Sequence, residues 1–169
     1  PTLREGAERF PDVPFNIEIK QSLPRIEHSV YELLRDTNHL ELVLLAAQSD
    51  ELMTRIRQLD SRLPTNFTKT EVSDFLKRVY LGRWKGYRPP GQALQIPQYY
   101  KHLPILTRMF LSAAHRHEVE VHVWTVNEEK KMRKMLKMGV DGIMSDYPER
   151  LRKTVEALGL RERSGAGGT

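Results

Sequence analysis

Apolar residues along the chain follow two rhythms. Short runs rich in Val, Ile and Leu predict strands at Pro14–Ile19, Leu42–Ala47, Leu63–Phe67, Ala93–Ile96, Glu120–Val126 and Gly142–Ser145. After each run, apolar residues recur at helical spacing, which predicts helices over Arg25–Arg35, Asp50–Leu59, Lys69–Tyr80, Leu103–His117, Glu128–Met138 and Pro148–Leu158, with a further short helix directly after Pro1. Strand followed by helix, repeated, is the signature of parallel α/β construction. The boundaries around Asn127 and Gly139 are the sharpest, because a capping residue opens that helix and a glycine closes it. The Gly-, Pro- and Arg-containing stretch from Gly82 to Gly91 continues neither element and reads as a long loop.

Six βα units fit either an open doubly wound sheet or most of an eight-unit barrel. No G-x-G-x-x-G or G-x-x-x-x-G-K-[ST] turn occurs, which weakens the nucleotide-binding sheet and favours the barrel. One domain over residues 1–160 is expected, with residues 161–169 forming a flexible Gly-rich tail.

The chemistry concentrates on two strands. In the first, Asn16, Glu18 and Lys20 share one face while Phe15, Ile17 and Ile19 share the other. In a barrel the polar set points inward, with Glu18 and Lys20 at the C-terminal mouth where barrel sites lie. A carboxylate beside a lysine suits a divalent metal next to a phosphate; it equally suits an inward structural ion pair, and spacing alone separates neither. In the clearest strand, Val121–Val126, His122 and Trp124 share a face, and Trp124 reads either as a pocket-lining ring or as a core tryptophan. Asp146 and Asn127 read as helix caps ahead of Pro148 and Glu128. The other histidines are scattered; His28 and His39 read as surface residues, and no H-E-x-x-H zinc signature exists.

Phe15-Asn16-Ile17-Glu18-Ile19-Lys20 resembles the N-(I/V)-E-(I/L)-K strand of glycerophosphodiester phosphodiesterases, preceded as in that family by a Thr-Leu-x-Glu helix and a Pro-x-x-Pro lead-in. Val121 to Asn127, followed by Gly139-Val140-Asp141-Gly142-Ile143-Met144-Ser145-Asp146-Tyr147-Pro148, resembles the same family's V-x-x-W-T-V-N and G-V-D-G-I-(I/M)-T-D-x-P close, with Ser145 in place of threonine. Both matches stand in family order, covering approximately residues 2–158 with a weak middle. The resemblance implies an incomplete TIM-type β/α barrel, with Glu18 as a metal ligand, Lys20 as the catalytic lysine on the substrate phosphate, and Trp124 as a substrate-binding aromatic. It also implies a divalent metal, Mg or Ca, of which Glu18 supplies one ligand here. The family's His-Arg-Gly strand, its Glu-x-Asp pair and its second histidine have no counterpart in this sequence. The chain is therefore expected to be the C-terminal portion, inactive by itself, of a metal-dependent hydrolase that converts glycerophosphodiesters to glycerol phosphate and an alcohol. The alternative is a degenerate barrel serving as a non-catalytic binding or interaction module.

Composition narrows the rest. Zero cysteines exclude disulfides and thiolate chemistry and favour a cytoplasmic setting. No run approaches a membrane span, so no transmembrane segment is expected. Twenty-seven basic against 22 acidic residues give +5, which favours anionic partners only mildly. The densest basic run, Lys130 to Lys134, reads as a solvated helix face with local ion pairs rather than a nucleic-acid surface, since it lacks stacking aromatics. A weaker nucleic-acid reading rests on Trp84, Tyr87 and Arg88 in the loop. The expected partner is a small-molecule phosphodiester, not nucleic acid, and the open edges of an incomplete barrel allow homo-oligomer formation.

Overall fold

The computed structural model describes residues 1–100 and 103–160; the expected tail at 161–169 lies outside them. The chain divides into two compact units, Pro1–Thr70 and Glu71–Thr169.

In the first unit, α1 (Leu3–Arg9) opens on a reciprocal capping box: the Glu5 N–H donates to the Thr2 hydroxyl and the Thr2 N–H to the Glu5 carboxylate. Then come β1 (Phe15–Glu18), α2 (Glu27–Asp36), β2 (Val43–Ala46) and α3 (Asp50–Leu59). β1 and β2 pair in parallel, with Ile17 opposite Leu45 and Glu18 opposite Ala46. One face of this pair, with α2 and α3, buries Ile19, Leu34, Val43, Leu45, Leu52, Met53 and Ile56, and Phe15 and Ile17 pack against that core. Each fully buried aliphatic side chain contributes about 1.5–3 kcal/mol. That fixes which strand face turns inward to the helices.

The predicted strand at Leu63–Phe67 is reduced to a single parallel bridge between Leu45 and Thr65. Pro64 has no N–H to give to a ladder, and the Asn66 side chain accepts the Ala47 N–H instead (3.0 Å). His39 also departs from expectation. It is fully buried, stacked on Phe15 at 5.1 Å, with its ring nitrogens facing the carbonyl oxygens of Thr37 and Phe10.

The second unit contains most of α4 (Lys69–Leu81), then β3 (Ala93–Pro97), β4 (Tyr99–Tyr100), β5 (Leu103–Pro104), α5 (Arg108–Arg116), β6 (Glu120–Trp124), α6 (Glu129–Met138), β7 (Gly142–Ile143) and α7 (Pro148–Ala157). Its parallel sheet runs in the order β3-β6-β7. Leu94, Ile96, Val121 and Val123 alternate toward its buried face, with Phe110, Met132 and Met135 also fully buried. The predicted helix from Leu103 starts five residues late. Leu103–Pro104 pairs antiparallel with Tyr99–Tyr100, and α5 begins only at Arg108, after its cap Thr107, whose hydroxyl accepts the Phe110 N–H. At the other end of α6, Gly139 takes φ +93°, which closes the helix as the sequence predicts.

The loop aromatics have structural partners. Trp84 and Tyr87 pack on Phe75 and on the His117 ring, and the Arg78 guanidinium lies 4.7 Å from the Tyr87 ring centre. Burial pushes the Tyr87 phenol up to about 12. These rings are engaged within the unit and are not free platforms for bases.

A buried ion pair joins α2 to α3: Arg55 Nε donates to Glu27 Oε1 at 2.6 Å, with Glu27 only 5% exposed. Burial pushes the Glu27 carboxyl up, but hydrogen bonds from its own backbone and from Arg55, with the Arg55 and Arg25 charges, outweigh it and hold the group below its ordinary 4.5. Glu27→Ala removes the buried partner of Arg55 and leaves it only the exposed Glu51 carboxylate at 2.7 Å, and is expected to cost about 3 kcal/mol, whereas Glu27→Leu with Arg55→Met is close to neutral. Urea titrations of both variants check this. A depressed folded pKa means the contribution is present above pH 4.5 and lost as pH falls through the lower folded value, so the penalty of Glu27→Ala shrinks in acid.

Candidate functional site

The polar faces of the two sheets carry the candidate residues, each within its own unit. In the first unit, Glu18 ends β1 and Lys20 follows it on the same side, opposite to the apolar Ile17 and Ile19. Lys20 Nζ stands 3.5 Å from Glu18 Oε2, and the other carboxylate oxygen accepts from Gln48 Nε2 at 3.0 Å. Gln48 sits just past β2, and parallel register carries it to the level of Lys20. The Lys20 side chain is 79% exposed and that of Glu18 34% exposed, so the pair contributes no more than about 1 kcal/mol to folding. The ion pair foreseen in the sequence is therefore present, yet stability is a weak reason for it.

In the same unit, Asp50 opens α3 and takes hydrogen bonds from the Thr68 and Thr70 hydroxyls, which hold its carboxyl below the usual range. Nothing in the spacing of Asp50 and Thr68 announces this contact, because the intervening loop decides it.

In the second unit, Trp124 closes β6 opposite Pro97 and is 40% exposed, so the core-tryptophan alternative does not hold. His122 shares its face, half-buried, with Nε2 2.9 Å from Glu120 Oε2. The imidazole lies across Gly142 of the neighbouring strand: a Cβ there would meet His122 Cδ2 at 2.7 Å. The G-V-D-G glycine is thus required by close approach of a ring.

The loops after β6 and β7 are tied to each other. Asn127 Oδ1 accepts from the Ser145 hydroxyl and the Asp146 N–H, while Asn127 Nδ2 donates to Asp146 Oδ2 at 2.8 Å. The expected caps are therefore corrected. The cap positions of α6 and α7 fall on Glu128 and Tyr147, without side-chain hydrogen bonds, and the Asn127 and Asp146 side chains bind each other instead. Ser145 accepts the Tyr147 N–H, and Pro148 takes the first helical turn as predicted. Away from this loop pair, Asp141 is held by Val121 N–H (2.9 Å) and His115 Nε2 (2.7 Å), which fixes the start of β7.

The donor set limits the chemistry. Among the described residues no three acidic or histidine side chains come close enough to hold a metal ion. Glu18 offers a single carboxylate, with one oxygen against an ammonium and the other against an amide. A hard divalent ion needs several oxygen donors. The described residues do not by themselves fit one.

The glycerophosphoryl diester phosphodiesterase family matches residues 1–150. The chain is 24% identical over 174 residues to lysophospholipase D GDPD1 of Rattus norvegicus, covering 90% of this chain and 55% of that protein. To a glycerophosphodiester phosphodiesterase of Bacillus altitudinis it is 27% identical over 150 residues, 85% of this chain and 56% of the relative. Its fold is similar to that of an Oleispira antarctica phosphodiesterase in complex with the product sn-glycerol-3-phosphate (TM-score 0.69, 19% identity, 92% of this chain and 61% of that one). The chain thus spans little more than half the length of such relatives.

Replacing Gly142 by alanine is expected to displace the His122 ring and destabilise the second unit by about 1–3 kcal/mol. Pairing it with His122→Ala should recover most of that loss. Denaturant midpoints of the single and double variants decide it: an equal loss in both removes the ring from the explanation.

Proposed function

The chain belongs to the glycerophosphoryl diester phosphodiesterase family, and from that premise we propose that it is the C-terminal part of a TIM-type barrel hydrolase cleaving glycerophosphodiesters to glycerol phosphate and an alcohol. The observation that carries this reading is the Glu18–Lys20 pair at 3.5 Å on the polar side of a strand whose other side is committed to the core. Lys20 would place its ammonium on a non-bridging phosphate oxygen and oppose the negative charge that grows there as water adds to phosphorus. Glu18 and Gln48 would keep that ammonium from swinging away. Trp124, broad and exposed, would cover the glycerol or the alcohol side of the substrate. As the P–O ester bond breaks, the departing oxygen must take up a proton, and the groups that move protons would lie outside the described residues.

The family implies a divalent ion. A magnesium or calcium ion at Glu18 would need its remaining donors from beyond the described residues, so no step is assigned to it. By the same reasoning the 169-residue chain alone would be inactive. Its likeness to a lysophospholipase D extends the proposed substrates to lysophospholipids. No helix among the described residues is long and apolar enough to cross a membrane; a cytoplasmic setting is proposed on the lack of cysteine alone. A second reading, a non-catalytic binding module, is favoured by the sparse donor set.

The test is release of glycerol phosphate from glycerophosphocholine by this chain and by a version extended at its N-terminus to the length of the relatives. Activity only in the extended form is the expected result, and none in either supports the module. In the extended form, Glu18→Ala and Lys20→Ala are each expected to lower kcat/KM by about 10²–10³-fold while shifting stability by under about 1 kcal/mol. Unchanged turnover in both variants removes the pair from the mechanism.

A further inference from the structure

Two helices of the second unit carry cations in an arrangement that their own folding does not favour. On α6, Lys131 and Arg133 are matched to Glu128 and Glu129 one turn away. Lys130, Lys134 and Lys137 are not; they stand at i, i+4 and i+7, all exposed, on one stripe, with no acidic partner among the described residues. Like charges at that spacing repel and destabilise a helix. On α5, Arg108 and Arg116 are exposed on one stripe with Ser112 and His115 and equally lack an acidic partner among the described residues. Arg108 is the first residue of a helix whose first turn contains no acidic side chain, where the helix dipole disfavours a cation. The stripes meet at a groove of about 510 Å³ lined by Arg108, Ser112, His115 and Arg116 from α5 and by Lys137 and Met138 from α6. Met109 stands beside Arg108, 49% exposed.

We propose that this α5–α6 face docks onto an anionic lipid bilayer. Five cations without acidic partners among the described residues, arranged across two adjacent helices, present a surface whose complement is a sheet of negative headgroups. The exposed thioether of Met109 and that of Met138 in the groove supply apolar contact at the level of the glycerol backbone. A nucleic acid is the poorer occupant, because the one ring on the two stripes, the His115 imidazole, is held by Asp141 at 2.7 Å, and no Phe, Tyr or Trp stands on either stripe. The surface stands apart from Glu18 and Lys20 in sequence and rests on no assumption about catalysis.

Cosedimentation with vesicles tests the proposal. The chain should bind vesicles of phosphatidylcholine containing roughly 30% phosphatidylserine, should ignore phosphatidylcholine alone, and should be released as salt rises from about 0.05 to about 0.5 M. Lys130→Glu with Lys134→Glu and Lys137→Glu should lower partitioning by about a hundred-fold or more, on the order of five-fold per cation removed. If circular dichroism shows that triple variant to be unfolded, the corresponding Lys→Gln triple takes its place and should lower partitioning in the same direction. An equal change of charge at already paired cations, Arg4→Glu with Arg35→Glu and Arg62→Glu, should cost much less. The proposal is overturned by absence of binding to anionic vesicles, by equal binding to neutral ones, by an equal loss in the control variant, or by tighter binding of a duplex oligonucleotide at the same salt.

Discussion

The structure depends on one constraint: the longer strands of the two parallel sheets, β1, β2, β3 and β6, each have a side committed to the apolar core. In β1 and β2 that side is Phe15, Ile17 and Ile19 with Val43 and Leu45; in β3 and β6 it is Leu94 and Ile96 with Val121 and Val123. At about 1.5–3 kcal/mol for each buried aliphatic residue, this outweighs by several-fold anything the polar side can contribute, since an exposed pair such as Glu18–Lys20 is worth no more than about 1 kcal/mol. Because side chains alternate strictly along a strand, a slip of one residue would bury Glu18 and expose Ile17. The hydrophobic pattern thus aims the candidate residues without touching them.

A side chain aimed by its strand still has to be held in place, and loops supply that. Gln48 reaches Glu18 from the neighbouring strand end, and Asn127 locks the turn after β6 to the turn after β7 through Ser145 and Asp146. Gly142 does the same by omission, leaving room for the His122 ring on the face that also bears Trp124. In each case a residue of small energetic weight determines where a larger one can stand. That division of labour lets the mouth of such a unit change its chemistry while the core remains the same.

The regular elements were legible because their signals are local. Periodicity placed β1, β2 and β3 within a residue at each end and β6 and β7 within two, missed the short β4 and β5 altogether, and Gly139 ended α6 where a left-handed residue was needed. What failed to show was set by partners remote in sequence. Leu63–Phe67 has the composition of a strand, but Pro64 and the Asn66 side chain divert its hydrogen bonds. His39 reads as a surface residue until Phe15 stacks on it from 24 positions away. Asn127 and Asp146 have the chemistry of caps, and only the adjacency of β6 and β7 shows that each satisfies the other. Trp84 and Tyr87 resemble an exposed aromatic loop until Phe75 and His117 are seen beneath them. Alternation and motif together single out Glu18, Lys20 and Trp124 as candidates; Gln48, on no motif, comes to Glu18 only through the parallel register.

Charge balance says what the Glu18–Lys20 arrangement still requires. The carboxylate and the ammonium sum to zero, whereas a phosphodiester brings a full negative charge and gains more as it is attacked. A neutral pair attracts such a substrate weakly, and the part of its field facing Glu18 repels it. Lys20 can turn toward a phosphate only by loosening its hold on Glu18, which then needs another positive neighbour. Gln48 lessens that cost by donating to the other oxygen, but an amide carries no charge. If the proposed hydrolysis takes place around these residues, further positive charge, from a metal ion or another cationic group, would have to join them. The exposed pair, neutral in sum, would need that charge beside it before it could hold a phosphodiester.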